Sequence, residues 1–128
     1  MTARRTLICD DEKTMTDYLE RVCVGMGHSV RVMNDSGLFA PALREFDPTD
    51  IILDIVMPDI DGFELLNDAV KAGFHGRLVI VSGYNPQYGA MAKELGELHG
   101  IAAIAFLQKP FGTADLRRAL SQEIPSPA

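Results

Sequence analysis

The sequence contains no tryptophan, only two cysteines and no long apolar stretch. Cys9 and Cys23 fall in separate apolar segments without a CxxC pair or a metal-binding spacing, so we expect reduced core residues rather than a disulfide. No segment approaches the roughly 20 apolar residues that span a bilayer. Residues 1–5 lead into a strand without the apolar core of a signal peptide. We therefore expect a cytoplasmic protein that does not contact a membrane.

Basic charge is also scarce. The chain has 12 lysines and arginines against 18 acidic residues, a net charge of -6, and its basic residues form no stripe. Proteins that bind nucleic acid through its phosphates concentrate positive charge on one face. The charge pattern therefore excludes general nucleic-acid binding and indicates protein partners or cations.

Short apolar segments alternate with segments of helical spacing along the whole chain. The segments predict strands over residues 6–9, 28–33, 50–54, 77–81 and 103–107, each followed by a helix. Unbroken apolar runs such as residues 51–53 are typical of parallel strands buried on both faces. The pattern predicts one α/β domain over residues 1–124, with residues 125–128 as a tail or the start of a linker.

Two helix assignments are more specific. Asn85 and Pro86 form a cap and first position for the fourth helix, which we expect to turn Met91, Leu95 and Leu98 inward. Thr113 is the predicted cap of the last helix.

Polar side chains follow four of the predicted strands at the point where each apolar run stops. Asp10 and Asp11 follow the first strand, Asp54 the third, Ser82 the fourth and Lys109 the fifth. Ligands of parallel α/β sheets bind outside the carboxyl ends of the strands. We therefore expect these side chains to form one site.

The residue types indicate phosphoryl chemistry. Three crowded carboxylates repel one another unless a cation neutralises them, and oxygen-only ligation suits Mg²⁺. One carboxylate can then act as a nucleophile toward phosphorus and form an aspartyl phosphate. Lys109 can pair with a phosphoryl oxygen, and Ser82 can donate a hydrogen bond to another.

These motifs, in this order, resemble the receiver domain of two-component response regulators. The matching segments are Asp10-Asp11, Leu53-Asp54-Ile55-Val56-Met57-Pro58 with Asp61-Gly62, Val81-Ser82-Gly83 and Lys109-Pro110-Phe111. The resemblance implies a single-domain, flavodoxin-like, doubly wound sheet of five parallel strands in the order 2-1-3-4-5 with five helices. It also implies a signalling role rather than an enzyme, with only self-catalysed phosphotransfer and slow autodephosphorylation.

The resemblance assigns roles to the site residues. Asp54 would be the phosphoacceptor for a histidine kinase or phosphotransfer protein. Asp11, Asp54 and the backbone carbonyl of Val56 would bind Mg²⁺ directly, and Asp10 would act mainly through a bound water. Lys109 would hold the phosphoryl group.

A switch is implied as well. Ser82 would move toward the phosphoryl group while Phe106, at the position of the family's switch aromatic, turns inward. This change would reshape the face of the fourth helix, fifth strand and fifth helix for an output protein or domain, with a homodimer through that face as a further option. The stretch from Ser82 to Lys109 is longer than usual by about one helical turn, so we expect an extended fourth helix.

Three alternatives remain open. A receiver-like module that binds partners without phosphorylation needs none of the site residues. A haloacid-dehalogenase-like phosphohydrolase needs a second aspartate two residues after its nucleophile, where this chain has Val56. A nucleotide-binding module of flavodoxin type needs a glycine-rich first turn, where this chain has Cys9-Asp10-Asp11-Glu12.

Overall fold

Strands and helices alternate along the chain as the sequence predicts. The computed structural model describes residues 3–55, 62–83 and 86–122. Its strands are β1 (Arg5–Cys9), β2 (Ser29–Met33), β3 (Asp50–Asp54), β4 (Arg77–Ser82) and β5 (Ala103–Gln108). Its helices are α1 (Lys13–Gly25), α2 (Phe39–Phe46), α3 (Gly62–Lys71), α4 (Pro86–Leu98) and α5 (Thr113–Leu120).

The five strands form one parallel sheet in the order β2-β1-β3-β4-β5, which confirms the predicted fold. The register pairs Leu53 with Ile80 and Asp54 with Val81, while Ser82 pairs with Gln108 at the end of β5. Because all strands are parallel, their carboxyl ends meet at one edge. The register therefore sets the end of β3 beside the ends of its neighbours.

The sheet is buried on both faces. Leu7 and Ile51 belong to a cluster with residues of α2, α3 and α4, whereas Ile8 and Ile52 belong to a second cluster with residues of α1 and α5. Each such side chain contributes roughly 1.5–3 kcal/mol by leaving water. The two layers of helices hold the strand ends in place. Cys9 and Cys23 are free and buried in this core, as predicted.

The buried face of α4 differs from the prediction. Met91 and Leu98 are 55% and 77% exposed, so their inward placement was wrong; Leu95 alone of the three packs against the core. The face toward the sheet instead carries Gly89, Ala92 and Gly96. Side chains of β5 fill the space beneath the helix, and a Cβ on Gly96 would lie 2.5 Å from Cδ1 of Ile104. Only small residues fit there.

The start of α5 also differs from the prediction. Its N-cap is Gly112, so Thr113 is the first helical residue rather than the cap. The Thr113 hydroxyl is instead 2.6 Å from the hydroxyl of Tyr18 in α1. Asn85, the predicted cap of α4, lies outside the described residues.

A buried ionic cluster closes the amino end of the sheet. Asp50 is fully buried and lies 2.5 Å from Nη2 of Arg4 and 3.4 Å from Nε of Arg77. The hydroxyl of Thr49 donates to Asp50 Oδ1 at 2.7 Å. The cluster joins β1, β3 and β4 at the end opposite the polar strand ends described below.

Candidate functional site

Lys109 lies at the centre of the polar strand ends. Its backbone N–H donates to the carbonyl of Ser82 at 2.8 Å, which fixes the residue at the end of β4. Its ammonium then donates to Asp10 Oδ2 and to Asp54 Oδ2, each at 3.1 Å. The lysine side chain is 14% exposed, and both carboxylates are almost fully buried. The structure therefore joins the ends of β1, β3 and β5 through one cation.

The turn after β1 holds two different carboxylates. Asp10 is fully buried, and its Oδ1 accepts the backbone N–H of Glu12 at 3.0 Å. Asp11, one residue later, is exposed at the rim of the site. One oxygen each of Asp10, Asp11 and Asp54 lies within 4.8 Å of the others. The structure thus brings these three acids together, and their roles as metal ligands stay a prediction.

The electrostatics of the site reflect this crowding. Burial raises the pKa of Asp10 to about 6, and the neighbouring Asp54 adds to that effect, although the N–H of Glu12 and the ammonium of Lys109 oppose it. For Lys109, burial acts to lower the pKa, but Asp10 and Asp54 outweigh it and the pKa rises. Lys109 therefore stays protonated, and its ammonium contacts the two buried carboxylates of Asp10 and Asp54, with Asp11 exposed beside them. Further positive charge would stabilise the cluster.

The donor set fits a magnesium ion. Among the described residues, Asp10, Asp11 and Asp54 form the cluster with metal-ligand proximity. All donors are carboxylate oxygens at an open edge, the ligands that Mg²⁺ prefers while it keeps several waters. Both oxygens of Asp10 already accept hydrogen bonds, whereas Asp11 is exposed at the rim. Val56, the predicted backbone ligand, lies outside the described residues.

The two predicted switch residues occupy adjacent strands. Ser82 ends β4 and is fully buried. Phe106 pairs with Ile80 in the register of β4 and β5 and is partly buried against the core cluster on the α4 side. Ser82 therefore lies at the site, next to Lys109. Phe106 lies on β5 beneath α4, away from the carboxylates.

Some site features were missed by the sequence analysis. Glu12 Oε1 lies 3.5 Å from the ammonium of Lys109. The bond between Lys109 and Pro110 is cis. Tyr18 contacts the segment after Lys109 through Phe111 and Thr113. Of these contacts, only that of Glu12 had a signal in the sequence, because Glu12 directly follows Asp10 and Asp11.

Comparison with known proteins agrees with this geometry. The sequence model of the family described as the response regulator receiver domain matches residues 6–121 of the chain. The chain belongs to this family. It is thus a receiver domain of the two-component type, and such domains are generally signalling domains rather than enzymes.

Curated relatives of this receiver domain are regulators. It is 29% identical over 133 residues to the DNA-binding transcriptional regulator NtrC of Azospirillum brasilense, covering 100% of this chain and 26% of the relative. It is 30% identical over 126 residues to the transcriptional regulatory protein TcrA of Mycobacterium tuberculosis, covering 96% of this chain and 48% of the relative. The receiver domain therefore spans about half or less of these relatives.

Solved structures support the fold. A CheY-like response regulator receiver domain protein from Methanospirillum hungatei has a TM-score of 0.78 at 24% identity, over 93% of this chain and 91% of that one. A receiver domain protein from Clostridium thermocellum has a TM-score of 0.79 at 23% identity, over 91% and 90% of the two chains. Within the described part of this receiver domain, no helix is long and apolar enough to cross a membrane.

Proposed function

We propose that this receiver domain accepts a phosphoryl group on Asp54 from a histidine kinase or a phosphotransfer protein. One observation carries the proposal: the ammonium of Lys109 lies 3.1 Å from the buried carboxylate of Asp54, and Asp11 lies at the rim beside it. A nucleophilic carboxylate, a fixed cation and a metal-binding acid are thus within reach of one phosphoryl group.

The residues divide the work of the transfer. An oxygen of Asp54 attacks the phosphorus of the donor phosphohistidine, the P–N bond breaks, and the leaving imidazole takes a proton from water. Lys109 pairs with a phosphoryl oxygen and balances the charge added at Asp54. Ser82 donates its hydroxyl to another phosphoryl oxygen. When bound by Asp11, Asp54 and the Val56 carbonyl, with Asp10 acting through water, Mg²⁺ would supply the further positive charge that the transferred group requires.

The output follows from the two switch residues. Ser82 shifts toward the phosphoryl group, and the ring of Phe106 follows it inward, which changes the surface of α4, β5 and α5. An output protein or domain reads that surface, and a homodimer through the same face is a second use of it. The names of the relatives, which are transcriptional regulators, support an output domain in the same or another chain. The cytoplasmic location and the domain limits at residues 124 and 125 stay predictions.

Intact-mass measurement tests this function. The protein is incubated with acetyl phosphate and Mg²⁺, with matched samples in EDTA and of Asp54→Asn. We expect an adduct of one phosphoryl group that requires Mg²⁺ and Asp54. No adduct on the wild-type protein would favour the alternative of a phosphorylation-independent interaction module, while an adduct that persists in Asp54→Asn would assign the phosphoryl group to another residue.

A further inference from the structure

Tyr18 of α1 contacts the segment that follows Lys109. The Lys109 loop, defined here as residues 109–113, follows β5 and includes Thr113, the first residue of α5. The hydroxyl of Tyr18 lies 2.6 Å from that of Thr113, and the two share a hydrogen bond. The ring of Tyr18 packs against that of Phe111, with centroids 6.4 Å apart and planes inclined by 49°. One side chain of α1 therefore holds the loop at two points.

The Lys109 loop needs a support that does not depend on the carboxylates. The ammonium of Lys109 contacts Asp10 and Asp54, and these contacts must rearrange when a phosphoryl group arrives between them. The backbone N–H of Lys109 is fixed to Ser82, the residue expected to shift. Pro110, next in the chain, has no N–H to donate. The contacts of Tyr18 involve neither the carboxylates nor Ser82.

The same helix also follows the acidic turn. α1 begins at Lys13, directly after Asp10, Asp11 and Glu12. Tyr18 lies on the side of α1 that packs into the core cluster with Phe111. Since a helix is a rigid element, a contact from Tyr18 to the Lys109 loop fixes the distance between the acidic turn and the lysine.

We propose that Tyr18 is a positioning residue for Lys109. Its ring and hydroxyl hold the loop against α1, so that the ammonium keeps its place at the strand ends while its partners change from carboxylates to a phosphoryl group. This inference rests on the proposed phosphorylation of Asp54. It adds to that function Tyr18, a residue outside the acidic site, which acts through its contact with Thr113.

The test compares Tyr18→Phe, Thr113→Val and the double variant. We measure the rate constant of phosphorylation by acetyl phosphate from intact-mass time courses, and the dissociation constant of Mg²⁺ by calorimetry. Loss of one hydrogen bond is expected to slow phosphorylation about three- to tenfold, with the double variant no slower than the slower single one. The dissociation constant of Mg²⁺ should stay unchanged, because the carboxylates keep their places. Ser121→Ala is the control, since it removes a hydroxyl that donates to the Arg117 carbonyl at the far end of α5.

The outcomes separate this inference from the proposed function. If the wild-type protein is phosphorylated and Tyr18→Phe reacts at the same rate, the positioning role is wrong and the function stands. If Ser121→Ala slows phosphorylation equally, or if Tyr18→Phe also loses affinity for Mg²⁺, Tyr18 has only a general structural role. If the wild-type protein takes no phosphoryl group, the proposed function fails and this inference fails with it. Amide hydrogen exchange gives a second measurement: residues 111–113 should exchange faster in Tyr18→Phe, and unchanged exchange would contradict the anchor itself.

Discussion

The ring of Phe106 on β5 occupies the space that a side chain at Gly89 of α4 would need. A Cβ placed on Gly89 would lie 2.1 to 2.4 Å from three atoms of that ring. The ring of Phe106 therefore packs against α4 at Gly89, the position where the helix has no side chain. If Phe106 moves when Ser82 shifts, the contact under α4 changes with it, and this is how a change at Asp54 can reach the outer surface of α4.

Gly89→Ala tests this contact. The added methyl group forces the ring or the helix to move, and overpacking of this kind costs about 1–3 kcal/mol. Better helix propensity offsets at most about 1 kcal/mol of that cost. We expect a net loss in the free energy of unfolding, measured by urea denaturation. Gly25→Ala is the matched control, since a Cβ at Gly25 in α1 has no neighbour within 4 Å, and it should be neutral or stabilising. A stabilised Gly89→Ala would contradict the packing described here.

The buried carboxylate of Asp10 predicts a pH dependence of stability without metal. Burial raises the pKa of Asp10 to about 6 from an ordinary value of 3.8, so the folded protein binds more protons than the unfolded chain between these values. Protonation of Asp10 therefore contributes roughly 2–3 kcal/mol to the free energy of unfolding below pH 4. This contribution is lost as the pH rises through 6. Urea denaturation in EDTA should show this loss, and Asp10→Asn should abolish it.

Magnesium should reverse the effect of ionising Asp10. Binding to the folded state adds stability in proportion to the logarithm of the free ion concentration. We expect the denaturation midpoint at pH 7.5 to rise with Mg²⁺ in the wild-type protein and to rise less in Asp11→Asn, which lacks one of the proposed ligands. A midpoint that does not respond to added Mg²⁺ would count against the magnesium site.

The ionic cluster at the amino end of the sheet should matter for stability but not for phosphorylation. Asp50→Asn removes the counter-charge that Asp50 supplies to Arg77, which is 8% exposed, and to Arg4, at an expected cost of about 3–5 kcal/mol. Asp47→Asn is the control, because the Asp47 side chain is 89% exposed and its pair with Arg5 is 3.5 Å long; it should cost less than about 1 kcal/mol. A folded Asp50→Asn protein should still be phosphorylated at the normal rate, and a slowed reaction would show that the two ends of the sheet are coupled.

Strands and site were predictable because their signals are local. The apolar runs ended at polar residues, and parallel topology alone then brought Asp54 and Lys109, which are 55 residues apart, to within 3.1 Å. The residue types at those ends were enough to indicate metal and phosphate chemistry. No contact between distant residues had to be known in advance.

The errors concern contacts that depend on partners elsewhere in the chain. The spacing of Met91 and Leu98 suits an inward face, but the depth available under α4 is set by Ile104 and Phe106 on another element. In the same way, Thr113 has the residue type of a cap, but its hydroxyl bonds with Tyr18, 95 residues away. Helical periodicity carries no information about either partner.

The most direct measurement is the identity of the residue that carries the phosphoryl group. Treatment of the phosphorylated protein with borohydride reduces an aspartyl phosphate to homoserine, and peptide mapping by mass spectrometry then locates it. We predict homoserine at position 54 alone, formed only when acetyl phosphate and Mg²⁺ were both present. Homoserine at position 10 or 11, or a phosphoryl group on a residue that borohydride does not reduce, would contradict the assignment of Asp54.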